Sequence, residues 1–169
     1  MLGVRATQVT ETFPLDTAAA LDLSNQYRIT LMDLGESPKT AGLMADWATL
    51  LAFHLNQADA AEDILNKAVS MPGLPLERRS QFKLALGDIL VFQDDVWGAS
   101  LLFSQVDLDH KEGVLGQQAK FKNARVSYYT GDFNWAQAQL DILKASTSKL
   151  ISNDAIDLSL LITDNFNMD

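Results

Sequence analysis

Three alanines recur at nearly equal steps: Ala61, Ala99 and Ala136, separated by 38 and 37 residues. Around each, the same kinds of side chain return at the same offsets. Four residues later comes a large apolar side chain, Leu65, Phe103 or Leu140, and three further on another apolar residue, Ala68, Val106 or Leu143. Eight residues before stand Phe53, Val91 and Tyr128, and twelve before stand the small residues Thr49, Gly87 and Ala124. Just ahead of each alanine lie the breakers Asn56-Gln57, Asp94-Asp95 and Gly131-Asp132. Self-similarity at such a period constrains a fold strongly. Each unit is one supersecondary element that cannot bury its apolar face alone, so successive units must stack.

Within each unit the periodicity is helical. Leu84, Leu86, Leu90 and Val91, then Ala99, Leu102, Phe103 and Val106, fall at helical intervals, and no alternating run is bounded by a hairpin dipeptide. Breakers at 35–38, 72–75, 94–95, 113–116, 131–132 and 146–153 divide the chain into helices expected near 16–34, 39–56, 58–71, 76–93, 95–107, 114–130, 132–145 and 153–165. The expected fold is all-α: a right-handed α-solenoid of stacked antiparallel helix pairs with about seven or eight helices. It is expected to form one domain over 1–169, with repeats near 42–72, 79–108 and 116–146, an N-terminal helix 16–34 and a partial-repeat helix 153–165.

These units resemble the tetratricopeptide repeat, a helix–turn–helix unit with small residues where its helices cross. The likeness covers about 42–145. The period exceeds the usual length of about 34 residues, which places the excess in inter-repeat loops. The family's early tryptophan position holds Lys83 and Lys120, with Phe82 and Phe121 as neighbours to fill its role, and Asn56-Gln57 replaces Gly-Asp in the first unit. The run Lys120-Phe121-Lys122-Asn123-Ala124, continuing through Ser127-Tyr128-Tyr129-Thr130-Gly131-Asp132-Phe133 to Lys149-Leu150, is similar to large repeat proteins of Bacteroidetes-type bacteria. That likeness implies a segment of a longer solenoid in which helix 153–165 opens the next pair.

Composition narrows the function. With 13 basic and 22 acidic side chains the formal charge is −9, which disfavours phosphate backbones and so nucleic acid. A 47% apolar content and a mean hydropathy of zero fit a folded chain, and no apolar run is long enough for membrane insertion. There is no cysteine, hence no disulfide or thiolate chemistry. The N-terminal stretch has no apolar core of a secretory signal. The compartment is left open.

No catalytic motif is present: no nucleophile elbow, phosphate loop or dinucleotide fingerprint. Two histidines, His54 and His110, have no partner at helical spacing, and Asp107–Gly113 fails as a calcium loop because lysine holds its fifth position and Gln118 its twelfth. No catalytic residue, metal or cofactor is expected. The expected activity is protein or peptide binding. The resemblance implies a concave groove lined by first helices: Asp46, Trp47, Leu50, Phe53 and His54; Gln81, Leu84, Ala85, Asp88 and Phe92; Gln118, Phe121, Lys122, Arg125 and Tyr129. Of these, Trp47, His54, Asp88, Lys122, Arg125 and Tyr129 are the candidate ligand-binding residues. Lys122 and Arg125, three apart, would form a basic spot suited to an acidic or carboxylate-ended peptide. Trp97 and Trp135 are expected in core or inter-repeat packing, and one of Tyr128 and Tyr129 should pack while the other reaches the surface.

The ends suggest an alternative, a structural segment whose termini stack or self-associate. Ala6, Val9 and Phe13 share one helical face, and Ile156, Leu160 and Leu161 form a stripe with Leu158 and Ile162 beside it.

Overall fold

A bend that ends one helix and starts the next needs a residue with left-handed backbone, followed by a cap for the new helix. Those elements occur at the same offset three times. Asn56, Asp94 and Gly131 have φ of 53°, 67° and 82°, a region glycine enters without strain and asparagine or aspartate enter more readily than other residues. Each lies five residues before its repeat alanine. In the second and third bends an aspartate caps the new helix: Asp95 Oδ1 accepts from Gly98 N at 2.9 Å, and Asp132 Oδ1 from Trp135 N at 3.2 Å. Gln57 occupies the corresponding place in the first bend without a side-chain cap. In all three, the alanine N–H donates to the cap carbonyl at 3.0–3.1 Å.

The structure, a computed structural model, describes residues 16–165. The sequence reading of Ala6, Val9 and Phe13 lies outside the described residues. Among the described residues there are eight helices and no strand: α1 (Thr17–Leu34), α2 (Ala41–His54), α3 (Ala58–Val69), α4 (Leu76–Phe92), α5 (Val96–Asp109), α6 (Val114–Tyr129), α7 (Phe133–Leu143) and α8 (Lys149–Asn165). The fold is all-α. None of these helices is long and apolar enough to cross a membrane. Two compact units divide between Asp94 and Asp95, and within each the consecutive helices pack on one another.

In the first unit α2 and α3 form a hairpin, α4 packs on both, and α1 lies on α2. Asp16 starts α1 by accepting from Ala19 N at 2.7 Å. Helix α2 begins at Ala41 rather than 39 because the Thr40 hydroxyl is committed to the preceding turn. It donates to Gly35 O at 2.7 Å and accepts from Ser37 N at 2.9 Å. Arg79 of α4 closes the carbonyl end of α3, donating to Val69 O at 3.0 Å and Met71 O at 3.2 Å, where a cation also complements the helix dipole.

In the second unit α6 packs against α5, α7 and α8, and α7 against α8. A core of Ala124, Ala136, Leu140, Leu143, Ile151, Ala155 and Ile162 joins α6, α7 and α8. Between α5 and α6 the buried carboxamide of Asn123 accepts from Ser100 Oγ at 2.9 Å and donates to Ser104 Oγ at 3.1 Å, so the polar group is satisfied on both sides. Helix α8 begins at Lys149, earlier than expected. Ser148 Oγ accepts from Ile151 N at 3.5 Å and Ser146 Oγ donates to Ser148 O at 2.9 Å, so these hydroxyls set the start in place of Asn153.

The repeat alanines are equivalent. Ala61, Ala99 and Ala136 are each the fourth residue of their helix and wholly buried. The side chains four and seven residues on are buried too. Two expectations fail. Trp97 and Trp135 are 85% and 60% exposed: they sit second and third in their helices, positions turned to solvent. Thr49 is exposed, and its neighbour Ala48 is wholly buried, as are Ala41, Ala45 and Ala52 of the same helix to within 9%.

Candidate functional site

Within the second unit an open cleft of about 440 Å³ runs between α6 and α8. Helix α6 contributes Phe121, Arg125, Tyr128 and Tyr129, and α8 contributes Asp154, Asp157, Leu158 and Leu161. Helical geometry dictates the selection. Phe121, Arg125 and Tyr128 lie four and three residues apart, as do Asp154, Asp157, Leu158 and Leu161, so each helix offers one stripe. The opposite stripe of α8, Ile151, Ala155, Ser159 and Ile162, is buried.

The aromatic wall is ordered by edge contacts. Tyr128 meets Phe133 with ring centroids 5.8 Å apart and Tyr129 at 5.6 Å, both edge-on, the arrangement aromatic quadrupoles favour. Tyr128 is half-buried and Tyr129 is 62% exposed, so one packs while the other reaches the surface. Arg125 lies along Tyr129: its Nη2 donates to Tyr129 Oη at 3.3 Å, and its Cζ is 5.9 Å from the ring centroid. Among the described residues no carboxylate lies within ion-pair distance of Arg125.

The other candidate residues are placed differently. Lys122 does not line this cleft. It is half-buried, with its ammonium 5.8 Å from the centroid of Phe103 on α5. Trp47 lies under α1: its Nε1 donates to Ser24 Oγ at 2.9 Å, and its ring packs on a core of Ala20, Leu23, Tyr27 and Leu50. The groove positions Trp47 and Leu50 are therefore covered by the chain's own helix. Asp88 and His54 are half-buried on α4 and α2. Phe53 and Phe92 remain largely exposed and meet edge-on at 5.6 Å.

Electrostatically, among the described residues of the first unit one carboxyl is perturbed. Burial raises the pKa of Asp46, and the positive charge of Arg78 partly offsets it. Burial, reinforced by the Asp46 charge, raises that of Tyr27. Among the described residues no three acidic or histidine side chains converge as metal ligands. Asp107, first residue of the failed calcium loop, accepts from Lys120 Nζ at 2.8 Å.

Sequence reasoning placed none of Asp154, Asp157, Leu158 and Leu161 in a binding site, and Leu158 and Leu161 entered only through an apolar stripe. Their signal was available: α8 registers with α6 at a step of 36 (Ala119 to Ala155, Asn123 to Ser159, Val126 to Ile162), so its side chains can be read against those of α6. Chemically the cleft offers apolar area, one guanidinium, phenol hydroxyls and two carboxylates. No known family model, curated protein or solved structure matches the chain.

Proposed function

We propose that the chain is a non-catalytic, tetratricopeptide-like module that binds a polypeptide segment in the α6–α8 cleft. The observation that carries this reading is the solvent-open pairing of an aromatic wall with fixed charges at first-helix positions of a helical repeat. Clefts of a few hundred cubic ångströms, largely apolar with a few convergent polar groups, suit side chains of a bound peptide. Fold alone does not dictate this, so the proposal rests on the cleft. Panning a random-peptide library against the chain tests it. Enriched peptides should bind Tyr129→Ala about tenfold more weakly, as for loss of an aromatic anchor, with the melting temperature unchanged because the ring is mostly exposed. Equal binding to both proteins defeats the reading.

A second reading, a structural segment that stacks or self-associates, is favoured by one observation. Leu150, Ile156 and Leu160 leave apolar area exposed on α8. Sedimentation that stays monomeric at every concentration counts against it.

A further inference from the structure

We infer that the α6–α8 cleft selects a peptide segment carrying a basic side chain beside an apolar or aromatic one; this rests on the binding reading above and replaces the acidic occupant suggested by the pairing of Lys122 with Arg125. Lys122 is directed to Phe103 and contributes no charge to the lining. Arg125, the single cation of the lining, is already engaged by the Tyr129 hydroxyl and ring.

Across from it, Asp154 and Asp157 stand one turn apart on α8. Neither makes a side-chain hydrogen bond or ion pair among the described residues. The lining thus carries two carboxylates without side-chain partners against one guanidinium, an excess of negative charge, within a chain of net charge −9. An acidic side chain entering here would meet like charges. A lysine or arginine would lay its methylene stem over Leu158 and Phe121 and set its head group on the carboxylates. The exposed face of Tyr129 adds cation–π attraction, and the remaining apolar lining accepts the neighbouring side chain. Charge balance and the apolar lining therefore name the same occupant.

The test uses the full chain and three synthetic peptides that share a Leu-Tyr core flanked by lysines, glutamates or glutamines. Calorimetry gives affinity, and NMR shifts of Tyr128 and Tyr129 report the place of binding. The lysine peptide should bind most tightly, shift both tyrosines and weaken as salt rises. Asp154→Asn with Asp157→Asn should weaken it about tenfold, the scale of losing two partly exposed charge-assisted contacts, and should flatten the salt dependence. Salt titration of the unaltered chain gives an independent reading should the double variant fold poorly. If the glutamate peptide binds at least as well while shifting the tyrosines, the charge inference is overturned and cleft binding survives. If no peptide shifts them, both fall.

Discussion

The indole of Trp47 donates to the hydroxyl of Ser24 across 2.9 Å, tying α1 to α2. The contact is half-buried and joins residues 23 positions apart. Beyond the packing lost with the smaller ring, Trp47→Phe should cost about 0.5–1.5 kcal/mol through the lost bond. Ser24→Ala should cost a similar amount, and the double variant should show a coupling energy of about 1 kcal/mol in urea unfolding. Additive effects would show that the bond contributes nothing to holding α1.

Gly116 stands where the start of α6 passes the His110 carbonyl. A Cβ there would overlap that carbonyl oxygen and lie 2.8 Å from its carbon, and neither is the movable end of a side chain. Alanine is the better helix former by about 1 kcal/mol, but here overlap should win. Gly116→Ala is expected to destabilise by about 1–3 kcal/mol, read as a lower melting temperature by circular dichroism. A gain in stability would mean that the loop before α6 yields freely.

The three buried alanines should respond alike. Leucine at Ala61, Ala99 or Ala136 forces a branched side chain into a filled contact and should cost at least about 1–3 kcal/mol in each case. Leucine at the exposed neighbour Ala60 should change stability by less than about 0.5 kcal/mol. Denaturant midpoints of the four variants decide this, and one tolerant alanine would break the equivalence of the units.

Asp46 predicts a pH dependence. Burial raises its folded-state pKa above the unfolded value of about 3.9. The folded chain therefore holds more proton than the unfolded chain between those two values, and stability falls as pH rises through that window. Asp46→Asn should remove the penalty. Its unfolding free energy should exceed that of the parent at neutral pH, with the gain vanishing below about pH 4. Arg78→Gln should steepen the dependence, since Arg78 lowers the Asp46 pKa. An Asp46→Asn variant less stable than the parent at neutral pH would show that the Arg78 attraction outweighs desolvation.

What the sequence makes legible is everything enforced locally and repeated. Ala61, Leu65 and Ala68 reappear as Ala99, Phe103 and Val106, so helix faces and bends can be read by comparing copies. The tryptophans mislead when each is judged by its own size. Set against the other copies, Trp97 aligns with Asp59 and Asn134, and Trp135 with Ala60 and Gly98, which marks surface positions. Helix α8 is harder. Both its faces are apolar, so periodicity alone favours the Ile156, Leu160 and Leu161 stripe, which is exposed. The buried stripe includes Ala155 and Ser159, small enough for close approach but weak as a hydropathy signal. The cleft carboxylates, Asp154 and Asp157, belong to that same helix and escape notice with it. Register places Trp47 at a groove position, but α1 lies over it, a long-range choice that no local pattern encodes.

The three bends written as Asn56-Gln57, Asp94-Asp95 and Gly131-Asp132 share a left-handed first residue despite different spellings. A corner that specifies itself in so few letters behaves as an interchangeable cassette. Exchanging these dipeptides between bends should leave the flanking helices formed, and blocks of 37 or 38 residues are the increments at which the pattern returns.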